Sequence, residues 1–171
     1  MADARGSTPS PWILQWAGLI PAEATVLDVA AGSGRHALFF AQRGNPVVAV
    51  DRDISRLADH PNIQAVEADL ENGSPWPLPN RTFGAVIVTN YLYRRLIPTL
   101  VQTVSHGGIL LYETFMIGNE RFGKPSRPDF LLKDGELLEI VRGAFSVIAY
   151  EARMISEPRM AMVQRIAARK T

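Results

Sequence analysis

The sequence predicts an α/β chain in which a mostly parallel sheet lies between two layers of helix and ends in an antiparallel hairpin. Three observations carry this. Short apolar runs alternate with helical stretches along most of the chain. The run Phe83-Gly84-Ala85-Val86-Ile87-Val88-Thr89 is apolar without alternation, as in a strand covered on both faces. The last two strand-like runs are separated by a short segment around Ser156-Glu157-Pro158, too short for a parallel crossover.

The elements follow in order. Residues 1–10 are small and polar and read as a loose tail, leaving 11–171 as one domain. Residues 11–19 place Trp12, Ile13, Trp16 and Leu19 at helical spacing behind Pro11, a short helix that covers the domain. The first strand spans 25–30, a helix 34–43 stops at Gly44, and a second strand spans 46–50. Residues 55–59 suit a short helix, 63–67 a third strand, and 71–81 a proline-rich loop with Trp76. The fourth strand is 83–89. A helix over 92–105 is expected to kink at Pro98, and His106-Gly107-Gly108 reads as a turn before a fifth strand over 109–114. Residues 116–130 form a long connection without periodicity, a length that usually serves function. A helix over 132–141 precedes the closing strands 144–150 and 160–167.

Composition narrows the function classes. The chain has 171 residues, a net charge of +1 and no cysteine. Disulfides, thiolate metal sites and cysteine nucleophiles are excluded, and global attraction to nucleic acid is not indicated. His60 and His106 fall in expected loops and have no partners at metal-ligand spacing, while His36, a base by residue type, sits inside the 34–43 helix. No apolar run approaches the roughly 20 residues that cross a bilayer, and no apolar export signal precedes Pro11, so a cytoplasmic location is expected.

The most informative stretch is Thr25-Val26-Leu27-Asp28-Val29-Ala30-Ala31-Gly32-Ser33-Gly34-Arg35-His36, a buried strand ending in an acid, then a glycine turn, then a helix. Gly32 and Gly34 leave the backbone approachable. The next strand also ends in an acid, Asp51, and the third is followed by Asp69. A glycine turn after one strand and a carboxylate at the tip of the next grip a nucleoside in α/β folds, outside the carboxyl ends of the strands. Asp28, Asp51 and Asp69 are expected to line one groove. A nicotinamide dinucleotide is the rival, because Gly32-Ser33-Gly34-Arg35-His36-Ala37 fits G-x-G-x-x-A. Asp28, standing before the glycines, would repel a pyrophosphate and attract an ammonium.

On these residues the chain resembles the class I S-adenosylmethionine-dependent methyltransferases, from residue 26 onward. The family's acid followed by three alternate glycines stands here as Asp28-Val29-Ala30-Ala31-Gly32-Ser33-Gly34, with Ala30 in place of the first glycine. The resemblance implies a Rossmann-like three-layer sandwich with seven strands, the last antiparallel between the fifth and sixth. It implies S-adenosylmethionine as cofactor, held by Asp28, Ala30, Gly32, Gly34, Arg35, Asp51, Arg52, Asp69, Leu70 and Asn90. Asp28 would face the methionine moiety, Asp51 the ribose hydroxyls and Asp69 the adenine amino group. Asn90 and Tyr91 would stand at the methyl-transfer point as catalytic residues. Gly34-Arg35-His36 and the tract from Tyr112 to Pro125 are similar to small bacterial methyltransferases of the tellurite-resistance type.

Some of these residues also have plainer roles open to them. Asp28 suits a cap on the following helix, Asn90 likewise, and His36 a packed core position. Trp76 is a candidate to close over the adenine. Arg94, Arg95, Arg121, Lys124 and Arg127 are candidates for a basic rim, and Glu113 for the acceptor side. Asn90-Tyr91-Leu92-Tyr93 lacks the prolines of N-P-P-Y, which argues against a nucleobase amino group as acceptor. The expected partner is a small-molecule acceptor, with no membrane or nucleic acid and with a homodimer open. A protein- or RNA-directed methyltransferase and a non-catalytic cofactor-binding module are the alternatives.

Overall fold

A computed structural model describes residues 8–171. Within them, seven strands form one sheet: β1 (Val26–Val29), β2 (Val47–Asp51), β3 (Ile63–Glu67), β4 (Phe83–Thr89), β5 (Val104–Phe115), β6 (Phe145–Ile155) and β7 (Ala161–Lys170). The α-helices among the described residues are α1 (Pro11–Trp16), α2 (Arg35–Gln42), α3 (Ile97–Thr103) and α4 (Glu136–Val141). The strand order is β3-β2-β1-β4-β5-β7-β6. Pairings from β3 through β5 are parallel, and β7 is antiparallel to both β5 and β6. The predicted architecture, including the last strand between the fifth and sixth, is the observed one.

Each face of the sheet has its own core. Leu27, Val29, Val48, Val50, Val86 and Val88 pack with Leu100 of α3 and Leu137 of α4. Val26, Val47, Ala49, Ala85 and Ile87 pack with Trp12 and Ile13 of α1 and with Ala37 and Phe40 of α2. Burial on both faces explains the unbroken apolar runs of the central strands. The chain runs outward from β1 to β3, then returns to β4 beside β1. The strand order therefore reverses between β1 and β4, where ligands bind in open sheets of this kind.

Local chemistry accounts for the departures from expectation. Ser10, assigned to the tail, is buried and caps α1, accepting from the Trp12 N–H at 3.2 Å. The rest of the predicted tail through residue 7 lies outside the described residues. Residues 55–59 form a turn, not a helix. Asp53 takes both the N–H and the hydroxyl of Ser55, at 3.0 and 2.6 Å, and so offers the backbone an alternative to helix. Pro98 does not kink a long helix. It sits in the first turn of α3, after a 3-10 turn at Arg94–Leu96, where its missing N–H costs nothing. His106-Gly107-Gly108 belongs to β5, at a register shift against β4, with Gly107 at φ +75°. The hairpin strands run past their predicted ends, to Ile155 and Lys170.

Candidate active site

The carboxyl ends of the central strands carry two cavities, with the adjacent residues Asn90 and Tyr91 lining one each. The smaller, about 280 Å³, is lined by Ala30, Asp51, Arg52, Ala68, Asp69, Leu70, Glu71 and Tyr91. The larger, about 410 Å³, draws on Ser10, Arg35, Asn90, Glu113 and the hairpin residues Arg159 and Arg165, among others. Asn90 lines the larger cavity and Tyr91 the smaller. At φ +54°, Asn90 bends the chain sharply at the end of β4, a conformation asparagine tolerates better than most residues.

The smaller cavity gathers Ala30, Asp51, Arg52, Asp69 and Leu70 of the expected cofactor set. Asp51 braces the glycine turn: Oδ2 accepts the Gly32 N–H at 2.8 Å and Oδ1 the Asp53 N–H at 3.0 Å. A carboxylate offers about four acceptor sites, so lone pairs remain for a ligand. Asp69 accepts the Glu71 N–H at 2.9 Å and is otherwise exposed. Asp51, Asp69 and Glu71 outweigh Arg52 and give the wall a negative field. Such a wall favours hydroxyl and amino donors and repels phosphate. The dinucleotide reading therefore does not fit this cavity. The Tyr91 hydroxyl is buried beside the Glu71 carboxylate, and burial first, with that carboxylate, pushes its pKa above the ordinary phenol value. Tyr91, expected at the reacting atoms, lines the smaller cavity.

Three expected cofactor residues, Asp28, Gly32 and Gly34, line neither cavity. Asp28 is 1% exposed and takes the Ala37 N–H at 3.0 Å, capping the first turn of α2. Alternation and register put it with Val26 and Ala49 on the α2 face of the sheet, the face Asp51 also takes two residues past Ala49, but Asp28 is buried beneath the turn. Of the three acids, only Asp51 and Asp69 line the cavity. Burial is the largest influence on Asp28 and raises its carboxyl to about 7, against the Ala37 hydrogen bond and the Arg35 charge. Gly34 is glycine for the fold: its φ is +74°, and a Cβ there would stand 2.6 Å from Leu57 Cδ2. Gly32, at φ +59°, has nothing within 4 Å of where a Cβ would stand, so its backbone faces open space.

A chain of buried polar groups supports the larger cavity. The Ser10 N–H donates to His36 Nε2 at 3.0 Å, and the Ser10 hydroxyl donates to Glu113 Oε1 at 2.6 Å. Arg165 Nε lies 2.8 Å from Glu113 Oε2, and its Nη1 lies 3.7 Å from Glu151. Because Nε2 of His36 accepts, Nδ1 carries the proton and faces the Thr89 hydroxyl at 3.4 Å. Burial first, and Arg35 second, lower the imidazole to about 3, so His36 is a neutral packed residue. Ser10 and the hairpin residues were not among the expected site residues. The readable signal was charge within apolar strands: Glu113 in Ile-Leu-Leu-Tyr-Glu-Thr-Phe and Arg165 in Met-Val-Gln-Arg-Ile-Ala-Ala.

The expected basic rim lies elsewhere. Arg94 pairs with Glu136 at 2.7 Å, Arg127 with Asp129 at 3.6 Å, and Arg95 lines a third cavity with Trp76 and Asp69. Among the described residues no cluster of His, Asp and Glu suits a metal ion, and no helix is long and apolar enough to cross a membrane.

The likeness to known proteins is one of structure. No family model and no curated protein matches the sequence. Solved structures do match. TehB from Haemophilus influenzae superposes with TM-score 0.77 at 18% identity, covering 95% of this chain and 63% of that one. A putative S-adenosylmethionine-dependent methyltransferase from Listeria monocytogenes gives 0.68 at 12% identity, covering 94% and 98%. The 1,6-didemethyltoxoflavin-N1-methyltransferase of Burkholderia thailandensis, solved with its acceptor and S-adenosylhomocysteine, gives 0.68 at 17% identity, covering 98% and 80%. The chain has the fold of the class I S-adenosylmethionine-dependent methyltransferases. It spans 63% of the length of the TehB structure.

Proposed function

We propose that this protein transfers a methyl group from S-adenosylmethionine to a small molecule. The observation that carries the reading is the acidic cavity of Asp51, Asp69 and Glu71 at the tips of the strands, beside a glycine turn with open space at Gly32. Its donor-seeking wall fits an uncharged nucleoside. When bound, the cofactor supplies a methyl group made electrophilic by its sulfonium.

The chain's own residues supply placement. Asp51 accepts from the ribose hydroxyls while holding the Gly32 N–H, so turn and nucleoside share one anchor. Asp69 accepts from the adenine amino group, and Leu70 and Ala30 give its apolar bed. Asn90 turns the chain at the end of β4, beside Tyr91, and directs the acceptor toward the cofactor. Orientation of this kind supplies much of a methyl transfer's rate without a dedicated base. The acceptor is a small molecule because its chamber is about 410 Å³ and walled by the segment from Thr8 to Pro11.

Titration calorimetry with S-adenosylhomocysteine tests the reading. Tight binding is expected, and Asp51→Ala should weaken it by about 100-fold, the loss of two charge-assisted hydrogen bonds. Asp51→Asn should fall between the two. Unchanged affinity in Asp51→Ala, with the protein still folded, would remove the ribose assignment.

A further inference from the structure

The larger cavity has an uneven chemistry. Its walls are mostly carbon, with Phe115, Ile155, Val163, Pro9, Pro11 and Pro158 among the lining. Arg35, Arg159 and Arg165 line it. Arg165 is neutralised by Glu113 and Glu151. Arg35 and Arg159 have no carboxylate within ion-pair distance among the described residues. Arg159 is nevertheless held in place: its Nη2 donates to the Lys124 carbonyl at 2.9 Å, and its guanidinium lies 5.2 Å from the centre of the Phe115 ring. A braced cation loses little freedom on binding an anion. Against these two cations the cavity sets one further carboxylate, the exposed Glu157, which forms no ion pair among the described residues.

We propose that this cavity takes an acceptor with a compact apolar body and one anionic group, a carboxylate or similar oxyanion, bound by Arg159 with Arg35 reinforcing the field. The inference rests on the two-chamber methyltransferase reading and narrows its acceptor. The apolar walls desolvate the body, and desolvation strengthens the ion contact at the rim. Glu157 works against the anion, so removing one or the other of the two charges, Arg159 or Glu157, must move affinity in opposite directions.

The test is calorimetric titration of 4-hydroxybenzoate and its neutral isostere 4-hydroxybenzamide, with and without saturating S-adenosylhomocysteine. The benzoate should bind about tenfold tighter than the amide, the worth of one charge-assisted contact. Arg159→Gln should abolish that ratio, and Glu157→Gln should raise it. Both side chains are exposed, so neither change threatens the fold. Equal affinity for the two probes, no binding of either, or a ratio unmoved by Arg159→Gln overturns the proposal. Failure of S-adenosylhomocysteine to bind overturns the cofactor reading instead, and the titration of ligand-free protein then still decides this one.

Discussion

Ala30 carries the backbone through φ +52° at the point where the resemblance implies a glycine. The left-handed region costs an alanine about 1 kcal/mol or more. Ala30→Gly should therefore stabilise the protein by roughly 0.5–1 kcal/mol, or about 1–4 °C in thermal melting, net of the extra freedom glycine gives the unfolded chain. Asp28 and His36 form a second residue-scale case, because burial moves them in opposite senses. Folded Asp28 keeps its proton up to about 7, while the unfolded carboxyl loses it near 3.8, so its contribution to stability falls as pH rises between those values. Folded His36 refuses a proton down to about 3, while the unfolded imidazole takes one near 6.5, so its contribution rises with pH across that range. From about pH 4 to 6.5 the two slopes oppose. Asp28→Asn should expose the rising slope, up to ~1.4 kcal/mol per pH unit, and His36→Gln the falling one. Urea denaturation across that window, each variant against the parent, reads both. Two variants with the parent's pH profile would refute the buried-charge account.

At the scale of elements, the site depends on how α1 and α2 begin. Ser10 caps α1, supports Glu113 and meets His36 through its N–H, so one short segment ties a helix start to the acceptor chamber. Ser10→Ala leaves Glu113 with one fewer donor and α1 without its cap, a loss of about 1–3 kcal/mol. S-adenosylhomocysteine affinity should hardly change, because Ser10 does not line the nucleoside chamber. At the start of α2, Gly34→Ala should cost about 1–2 kcal/mol from its positive φ alone, with the flexible Leu57 tip yielding to the new methyl group. The strands were legible because their apolar runs and acidic ends are written locally. Asp51, Asp69 and Leu70 were legible for the same reason. The place of Asp28 was not, because the glycine motif fixes its position in sequence but not that the start of α2 covers it and takes its carboxylate as a cap. Arg159 and Glu157 lay beyond reach, since only the fold brings the hairpin tip to the end of β5. The 55–59 helix failed where side-chain bonds of Asp53 outcompeted a short helix.

At the scale of the molecule, binding and stability are one measurement. A ligand that occupies only the folded form at 100 times its dissociation constant adds about 2.7 kcal/mol. S-adenosylhomocysteine at that excess should raise the melting temperature by roughly 5–10 °C, and Asp51→Ala should lose most of the shift. The two chambers differ in what supports them. The smaller cavity, proposed for the nucleoside, stands on β1 and β2, each paired on both sides, with β3 completing it. The larger, proposed for the acceptor, leans on β6 and β7, and β6 is bonded to the sheet through β7 alone. Amide exchange with deuterated water should find β6 opening well before β1 and β4. Each such excursion takes away part of one side of the larger cavity while the smaller keeps its shape, so the two can breathe separately at the free margin of the sheet.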